Sequence, residues 1–197
     1  MTPGLEPWIA RVAVVLASIV MVGIRAPHGH RSRGVRVAKS LKGTLEIVLL
    51  SLAWVSFFLP LFWVATPWLA FADYPLHPAP FAIGLLAYGL GLWLFHRTHA
   101  DLGTNWSITL EMREQHQLIT RGTYRLARHP MYTAFLIYSA GQALALPNWL
   151  AGPSYLVVMA LLVALRLGPE ERMLRAHFGP EYDAYAARTK RLIPGVW

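Results

Sequence analysis

Cysteine is absent from the whole 197-residue chain. Its absence excludes disulfides, thiolate catalysis and zinc sites built on cysteine ligands. Charged residues are also scarce: they form 14% of the chain, whereas a soluble domain usually carries about 25%. The composition therefore fits neither a disulfide-stapled secreted domain nor an ordinary soluble one.

Apolar sequence is abundant instead, at 55% of the residues. It is concentrated in runs, and a run of roughly 20 apolar residues can cross a bilayer as a helix. We therefore predict an all-α integral membrane protein of about five transmembrane helices, folded as one domain over residues 1–197 with three helices in residues 1–100. The predicted helices are Trp8–Ile24, Leu45–Trp68, Pro80–Phe95, Met131–Leu146 and Trp149–Leu167.

The third and fourth of these runs are short for a full span, which tilt or partial insertion can accommodate. The fourth and fifth are separated only by Pro147 and Asn148, a pair typical of a turn. The sequence therefore predicts a helical hairpin over residues 131–167.

Basic residues lie between the apolar runs and give the chain a formal charge of +8. With five helices, every Lys and Arg except Arg11 falls on one side of the membrane. The positive-inside rule makes that side cytoplasmic, with the amino terminus outside and the carboxy terminus inside. The charge is thus interpreted as a topology signal, and the predicted partner is the lipid bilayer rather than nucleic acid.

Polar motifs are concentrated in two stretches, residues 101–132 and 166–197, which flank the hairpin. A hairpin brings its two ends together, so both stretches should meet at the cytoplasmic face and form a pocket there. We therefore predict that residues 101–197 are the catalytic region. Pro130 can begin a helix whose amino end suits an anionic group, and Glu170 and Glu171 are predicted to lie just past the end of a membrane helix. Carboxylates at such a depth tend to be functional.

Taken together, the two stretches resemble the isoprenylcysteine carboxyl methyltransferases and their phospholipid methyltransferase relatives. The resemblance rests on an ordered set of motifs over about residues 101–197. These are His-x-Leu-Ile from His116, Gly-x-Tyr from Gly122, Arg-His-Pro-x-Tyr from Arg128, Glu170-Glu171, and Phe-Gly-x-Glu-Tyr-x-x-Tyr from Phe178. The pattern departs from the family at Ala134, where glycine is usual.

The resemblance implies methyl transfer that depends on S-adenosylmethionine, without a Rossmann domain; the chain indeed has no strand-Gly-x-Gly-x-x-Gly-helix unit. The positions that match the family's cofactor contacts are His116, Gln117, Leu118, Ile119, Tyr124, His129, Pro130, Met131, Tyr132 and Glu170. Arg166 matches an arginine near the methyl acceptor, and Arg128 and Glu171 are further catalytic candidates from the same motifs.

The acceptor is expected to be lipidic or a small hydrophobic compound. A carboxylate acceptor is already ionised, and Arg166 can orient it through two hydrogen bonds. An amine or thiol acceptor must lose a proton, for which Glu170, Glu171 or His129 is the candidate base.

Two other functions compete with methyl transfer. Membrane sterol-type reductases that use NADPH share a related Arg-His-Pro-x-Tyr segment, but they typically have Asn where this chain has Met131. A non-catalytic membrane protein that retains the fold is the third possibility.

No metal site is predicted, since His96, His99 and Asp101 lack a fuller ligand set. The Ala- and Arg-rich composition hints at a prokaryotic plasma membrane.

Overall fold

A computed structural model describes residues 5–32, 37–40, 43–103, 111–113 and 117–196, with the side chains of 28–32, 37–40 and 111–113 excepted. Six α-helices and one short strand pair occupy this part of the chain. The helices are α1 Pro7–Ser32, α2 Thr44–Ala65, α3 Pro78–Leu102, α4 Pro130–Ala145, α5 Ala151–Phe178 and α6 Pro180–Arg188. The prediction of a helical membrane protein is confirmed.

All five predicted apolar helices are present, as α1 to α5, and four of them are long and apolar enough to cross a membrane. These four segments are Pro7–Pro27, Thr44–Ala65, Pro78–Leu102 and Ala151–Phe178. At 16 residues, α4 is about 24 Å long, short of a hydrocarbon core of roughly 30 Å. The expectation of a short third helix was wrong, because α3 has 25 residues.

The strand pair adds a small feature to the helical fold. Strands β1 (Val37–Ser40) and β2 (Glu111–Arg113) pair in antiparallel fashion, with an irregularity between Val37 and Lys39. The pair links the segment before α2 to the segment after α3 and so draws these two connections to the same end of the bundle.

Helix boundaries follow from local chemistry. The helix α2 ends at Ala65 because Thr66 is extended, as the residue before a proline prefers to be. The helix α4 starts at Pro130, whose missing N–H is not needed in a first turn. Asn148 caps α5, since its side-chain oxygen accepts bonds from the backbone N–H groups of Leu150 and Ala151 at 3.0 and 2.8 Å.

Glycines let α3 and α4 approach each other closely, as the small residues of the third apolar run suggested. A Cβ atom at Gly84 would lie 2.8 Å from the Gly141 carbonyl oxygen, and one at Gly91 would lie 2.8 Å from the Tyr138 nitrogen. Small residues allow such backbone contact in membrane helices. The helix α4 also packs on α5, α5 on α2, and α1 on α3.

Large apolar side chains cover much of the outside of the bundle, which a soluble monomer would rarely tolerate. Examples that are more than half exposed are Trp8, Leu16, Ile19, Val55, Leu86, Trp93 and Val157. They supply the surface that a bilayer would solvate, so the chain is a multi-pass membrane protein.

Arg25 corrects one detail of the charge pattern. The predicted first helix ended at Ile24, which left Arg25 in the following loop. Arg25 instead lies within α1, and its guanidinium lies 4.9 Å from the centre of the Trp54 ring. A cation over an indole face is attracted by the ring, which helps an arginine to remain at the apolar part of a helix.

Candidate active site

The site lies where α2 and α4 begin and α3 ends, which we call the motif end of the bundle. The segment before α4 is held there by residues 189–192. The Arg128 and His129 N–H groups donate to the Lys190 and Arg191 carbonyls at 2.8 and 2.9 Å. The Thr133 hydroxyl donates to the Leu192 carbonyl at 2.9 Å. The two predicted motif stretches are therefore joined directly by backbone hydrogen bonds.

Arg128 and Glu171 form a buried ion pair, with side chains 10% and 7% exposed. Arg128 donates from Nε and Nη2 to Oε1 of Glu171, at 2.8 and 2.5 Å. Its Nη1 donates to the carbonyls of Ala186 and Thr189. The second oxygen of Glu171 accepts from Nε of Arg191 at 3.1 Å. This arrangement fastens the tail to the loop and to α5.

His129 is buried between two carboxylates. Its Nδ1 lies 3.7 Å from Oε1 of Glu170, and its Nε2 lies 3.4 Å from Oε1 of Glu171. Burial by itself lowers the pKa of His129, but its contacts with the two carboxylates outweigh burial, so the pKa is raised above its usual value. The two carboxylates therefore favour protonation of His129 relative to a free histidine, and a protonated ring would neutralise part of the negative charge of α5.

Glu170 is the more accessible of the two carboxylates, with a side chain 26% exposed. Oε2 of Glu170 accepts a hydrogen bond from the buried Tyr132 hydroxyl, and the Tyr132 ring stacks on the His129 ring at 5.7 Å between centroids. One turn of α5 earlier, Arg166 lies within electrostatic reach of both Glu170 and Tyr132. The accessible carboxylate thus contacts the aromatic side chain, and the arginine lies one helical turn away on the same helix.

Arg166 also contacts the amino-terminal half of the chain. Its Nη2 lies 3.3 Å from Oε1 of Glu46, with the two side chains 10% and 6% exposed. Glu46 stands in the first turn of α2, where the helix dipole favours a negative charge. The contact joins α2 to α5 at the motif end.

Tyr124 is held by a 3-10 turn, Gly122–Arg125, that rests on the end of α3. The Asp101 carboxylate accepts from both the backbone N–H and the hydroxyl of Thr123, each at 2.8 Å. Gly122 has φ +60°, which favours glycine, and a Cβ there would collide with Asp101. The Tyr185 hydroxyl donates to the Tyr124 carbonyl at 2.5 Å, and burial raises the pKa of the Tyr124 side chain.

The structure therefore groups most of the predicted site residues. Six of them share one network of contacts: Arg128, His129, Tyr132, Arg166, Glu170 and Glu171. Tyr124 borders it, with an electrostatic contact to Glu170. Pro130 is buried at the start of α4 and Met131 is half-buried beside it. Of the predicted His-x-Leu-Ile group, Gln117 is exposed, Leu118 and Ile119 are half-buried, and His116 lies outside the described residues.

One prediction about the glutamates was wrong. Glu170 and Glu171 do not lie past a helix end, because α5 continues through Gly168 and Pro169 to Phe178. A proline inside a membrane helix is tolerated when neighbouring groups satisfy the backbone that it leaves unpaired. The continuation keeps Arg166, Glu170 and Glu171 in rigid register on one helix.

Three residues that support the site were not predicted as part of it. Glu46, Asp101 and Arg191 contact Arg166, Thr123 and Glu171 respectively. Glu46 is the first acid after the basic segment 25–42 and lies in the first turn of α2, which is the sequence signal that could have indicated it. Within the described residues, no group of three or more His, Asp or Glu side chains is placed to hold a metal ion.

The chemistry of this network fits S-adenosylmethionine, which carries an ammonium, a carboxylate, a ribose and a cationic sulfur. Glu170 can accept hydrogen bonds from the ammonium or the ribose hydroxyls. The rings of Tyr124 and Tyr132 offer faces that attract a cation. A protonated His129, which the two carboxylates favour, would offset the negative charge of Glu170 and Glu171.

Known proteins match the same part of the chain. The sequence model of the "Isoprenylcysteine carboxyl methyltransferase (ICMT) family" matches residues 82–176. A probable protein-S-isoprenylcysteine O-methyltransferase from Oryza sativa subsp. indica is 39% identical over 89 residues, which are 45% of this chain and 47% of the rice protein. The protein-S-isoprenylcysteine O-methyltransferase of Homo sapiens is 30% identical over 115 residues, 57% of this chain and 40% of the human protein.

A solved structure supports the same relationship. The eukaryotic intramembrane Ras methyltransferase superposes with a TM-score of 0.53 and 26% sequence identity, over 79% of this chain and 55% of that protein. The chain spans about half the length of the curated relatives that it matches. The comparisons confirm the resemblance that the motifs indicated.

Proposed function

We propose that this chain transfers a methyl group from S-adenosylmethionine to a lipidic carboxylate, because residues 82–176 match the isoprenylcysteine carboxyl methyltransferase family. The acceptor class is an isoprenylcysteine or a similar amphiphile, and the reaction takes place at the cytoplasmic face of the membrane. The catalytic region is residues 101–197 of a single membrane domain, completed by Glu46.

The observation that carries this proposal is the placement of Arg166 one turn before Glu170 on α5. The accessible Glu170 would hold the polar end of the methyl donor together with Tyr124, Tyr132 and the loop at Gln117–Ile119. Arg166, on the α2 side, would hold the acceptor. A donor and an acceptor bound one helical turn apart have the proximity that an in-line displacement requires.

A carboxylate acceptor suits the protonation states of the site. In the transfer, a carboxylate oxygen forms a bond to the methyl carbon while the carbon–sulfur bond breaks, and no proton has to leave. An amine or thiol acceptor would require a base. The raised pKa of His129 disfavours the neutral imidazole that a base requires, and Glu171 is bonded to two arginines. The bound donor supplies the electrophilic methyl group; the protein supplies position and charge.

Arg128 and Glu171, predicted as catalytic candidates, are better explained as positioning residues. Arg128 joins Glu171 on α5 to the carbonyls of Ala186 and Thr189, and Glu171 also accepts a hydrogen bond from Arg191. They fix the loop that presents His129 and the start of α4.

Charge distribution supports the cytoplasmic placement of the motif end, because the basic loops and the tail gather there. The relatives compared above are eukaryotic. The prokaryotic plasma membrane suggested by composition therefore stays a prediction.

Calorimetry on the detergent-solubilised protein tests the donor. We expect saturable binding of S-adenosylmethionine, loss of that binding in Glu170→Ala, and no effect of Glu6→Ala, which alters an exposed acid before α1. Binding of NADPH in place of S-adenosylmethionine would overturn the proposal in favour of a reductase. If folded protein binds neither, the non-catalytic alternative is supported.

Transfer of a labelled methyl group tests the acceptor. We expect labelling of an S-farnesylcysteine with a free carboxylate and none of its methyl ester. Labelling of a lipid amine or a thiol, with the carboxylate compound unlabelled, would contradict the assignment of Arg166 to a carboxylate.

A further inference from the structure

The contact between Glu46 and Arg166 connects two parts of the chain that the sequence motifs treat separately. Glu46 lies outside residues 82–176, the range that matches the family, and 120 positions before its partner. The Nη2–Oε1 distance is 3.3 Å, and both side chains are at least nine-tenths buried. A charged pair at this depth carries a desolvation cost, so its presence calls for an explanation.

A stabilising ion pair is the simplest explanation of this contact, but it accounts poorly for the location. Buried ion pairs add little net stability relative to apolar residues of similar size. The pair stands at the end of the bundle that carries all the other motif residues, and Glu46 and Arg166 both lie within electrostatic reach of Tyr132. Tyr132 in turn donates its hydroxyl hydrogen to Glu170. Tyr132 therefore links the pair to Glu170, the residue proposed to bind the methyl donor.

We propose that Glu46 is a positioning residue for Arg166, one that holds the guanidinium in the orientation that receives the acceptor carboxylate. This inference rests on the proposed function. A guanidinium is planar and presents five N–H donors in a fixed fork, so its usefulness to a carboxylate depends on its orientation. An arginine side chain has several rotatable bonds, and a carboxylate contact at Nη2 restrains the plane of the fork.

The backbone beneath Glu46 is suited to this role. Glu46 is the third residue of α2, and α2 packs along α5. The positive end of the α2 dipole favours an acidic residue at this position. Rigid helices therefore carry both members of the pair, and precise placement of a site residue is easier from a helix than from a loop.

The test compares binding of two acceptor probes to the full chain: S-farnesylcysteine with a free carboxylate, and its methyl ester. For the unaltered protein we expect the carboxylate to bind at least tenfold more tightly than the ester. In Glu46→Gln this preference should fall by about tenfold, while the affinity for S-adenosylmethionine stays within twofold. The control Glu6→Gln removes a carboxylate from an exposed position and should change neither value.

A double-variant cycle with Arg166→Lys shows whether Glu46 acts through Arg166. If it does, the loss of carboxylate preference in the double variant should equal that of Arg166→Lys alone, because coupled residues are non-additive. If the loss in the double variant equals the product of the two single losses, the inference is overturned. It is also overturned if Glu46→Gln keeps the carboxylate preference, or if Glu46→Gln weakens the binding of both probes and of S-adenosylmethionine equally. If Glu46→Gln does not fold, Glu46→Asp keeps the charge, shortens the side chain and should give the same selective loss.

The outcome is separable from failure of the proposed function. If the unaltered protein does not bind S-adenosylmethionine, the function itself is refuted. If it binds S-adenosylmethionine and transfers methyl groups, but Glu46→Gln behaves like the unaltered protein, only the role of Glu46 is refuted.

Discussion

Replacement of Arg128 by Met should be among the most destabilising single changes at the motif end. The substitution leaves Glu171 in place, 7% exposed, and removes two of its hydrogen bonds. Removing one partner of a buried ion pair typically costs about 3–5 kcal/mol, because the other charge remains buried. Arg191 still contacts Glu171 at 3.1 Å, so we expect the lower end of that range, about 3 kcal/mol.

The same substitution at Arg175 provides a matched control. Arg175 binds Asp183 with a similar geometry, 2.6 Å from Nε to Oδ1, but these two side chains are 53% and 57% exposed. Exposed pairs contribute about 0–1 kcal/mol. Both variants remove an Arg–carboxylate pair, one buried and one exposed, and Arg128→Met also removes the hydrogen bonds from Nη1 to the Ala186 and Thr189 carbonyls. The comparison therefore sets the buried network of Arg128 against an exposed pair.

Thermal unfolding of the detergent-solubilised proteins measures the difference. For a chain of this size, about 1 kcal/mol corresponds to roughly 2–4 °C in Tm. Arg128→Met should lower Tm by roughly 6–12 °C, and Arg175→Met by at most about 4 °C. Equal shifts for the two variants would refute the argument that burial of Glu171 makes Arg128 indispensable.

Three further outcomes follow from the geometry. Gly91→Ala should destabilise the protein by about 1–3 kcal/mol, because the added methyl group overpacks the contact between α3 and α4. Gly89→Ala should be neutral or slightly stabilising, because a Cβ atom there has nothing within 4 Å. Similar melting temperatures for the two variants would contradict the close α3–α4 contact. The pKa of His129 is raised in the folded state, so His129 should stabilise the protein fully below the unfolded pKa of about 6.5 and lose this effect as pH rises through the folded pKa. The difference in Tm between the unaltered protein and His129→Gln should therefore narrow toward alkaline pH. A difference that stays constant would argue against this. Asp101→Ala removes two hydrogen bonds to Thr123 and should lower the free energy of unfolding by about 2 kcal/mol, as measured by denaturant unfolding. A loss near zero would show that other contacts hold the 3-10 turn.

The apolar helices were predictable because the signal that defines them is local. Runs of apolar residues and short polar interruptions located α1 to α5, and the Pro147-Asn148 pair located the turn between α4 and α5. Helix ends were harder to predict. The helix α3 continues past Phe95 to Leu102, because the polar residues after Phe95 end the apolar run without ending the helical backbone.

The site was predictable to the extent that its residues share motifs. His129, Tyr132 and Glu170 were found because they recur in a recognisable order, and the structure places them in contact. Glu46 and Arg191 are bound to motif residues only through tertiary contacts. Local periodicity and spacing do not report the contact of Glu46, because its partner Arg166 lies 120 positions away.

Attachment of the loop before α4 to residues 189–192 has a consequence for biosynthesis. The carbonyl groups that receive the Arg128 side chain and the Thr133 hydroxyl lie about 60 positions later in the chain. At a synthesis rate of about 5–20 residues per second, the loop waits roughly 3–12 s for those partners to be made. The α4–α5 hairpin can therefore enter the bilayer while the loop is still unfastened. Ordering of the motif end can then be completed only after residues 189–192 have been made.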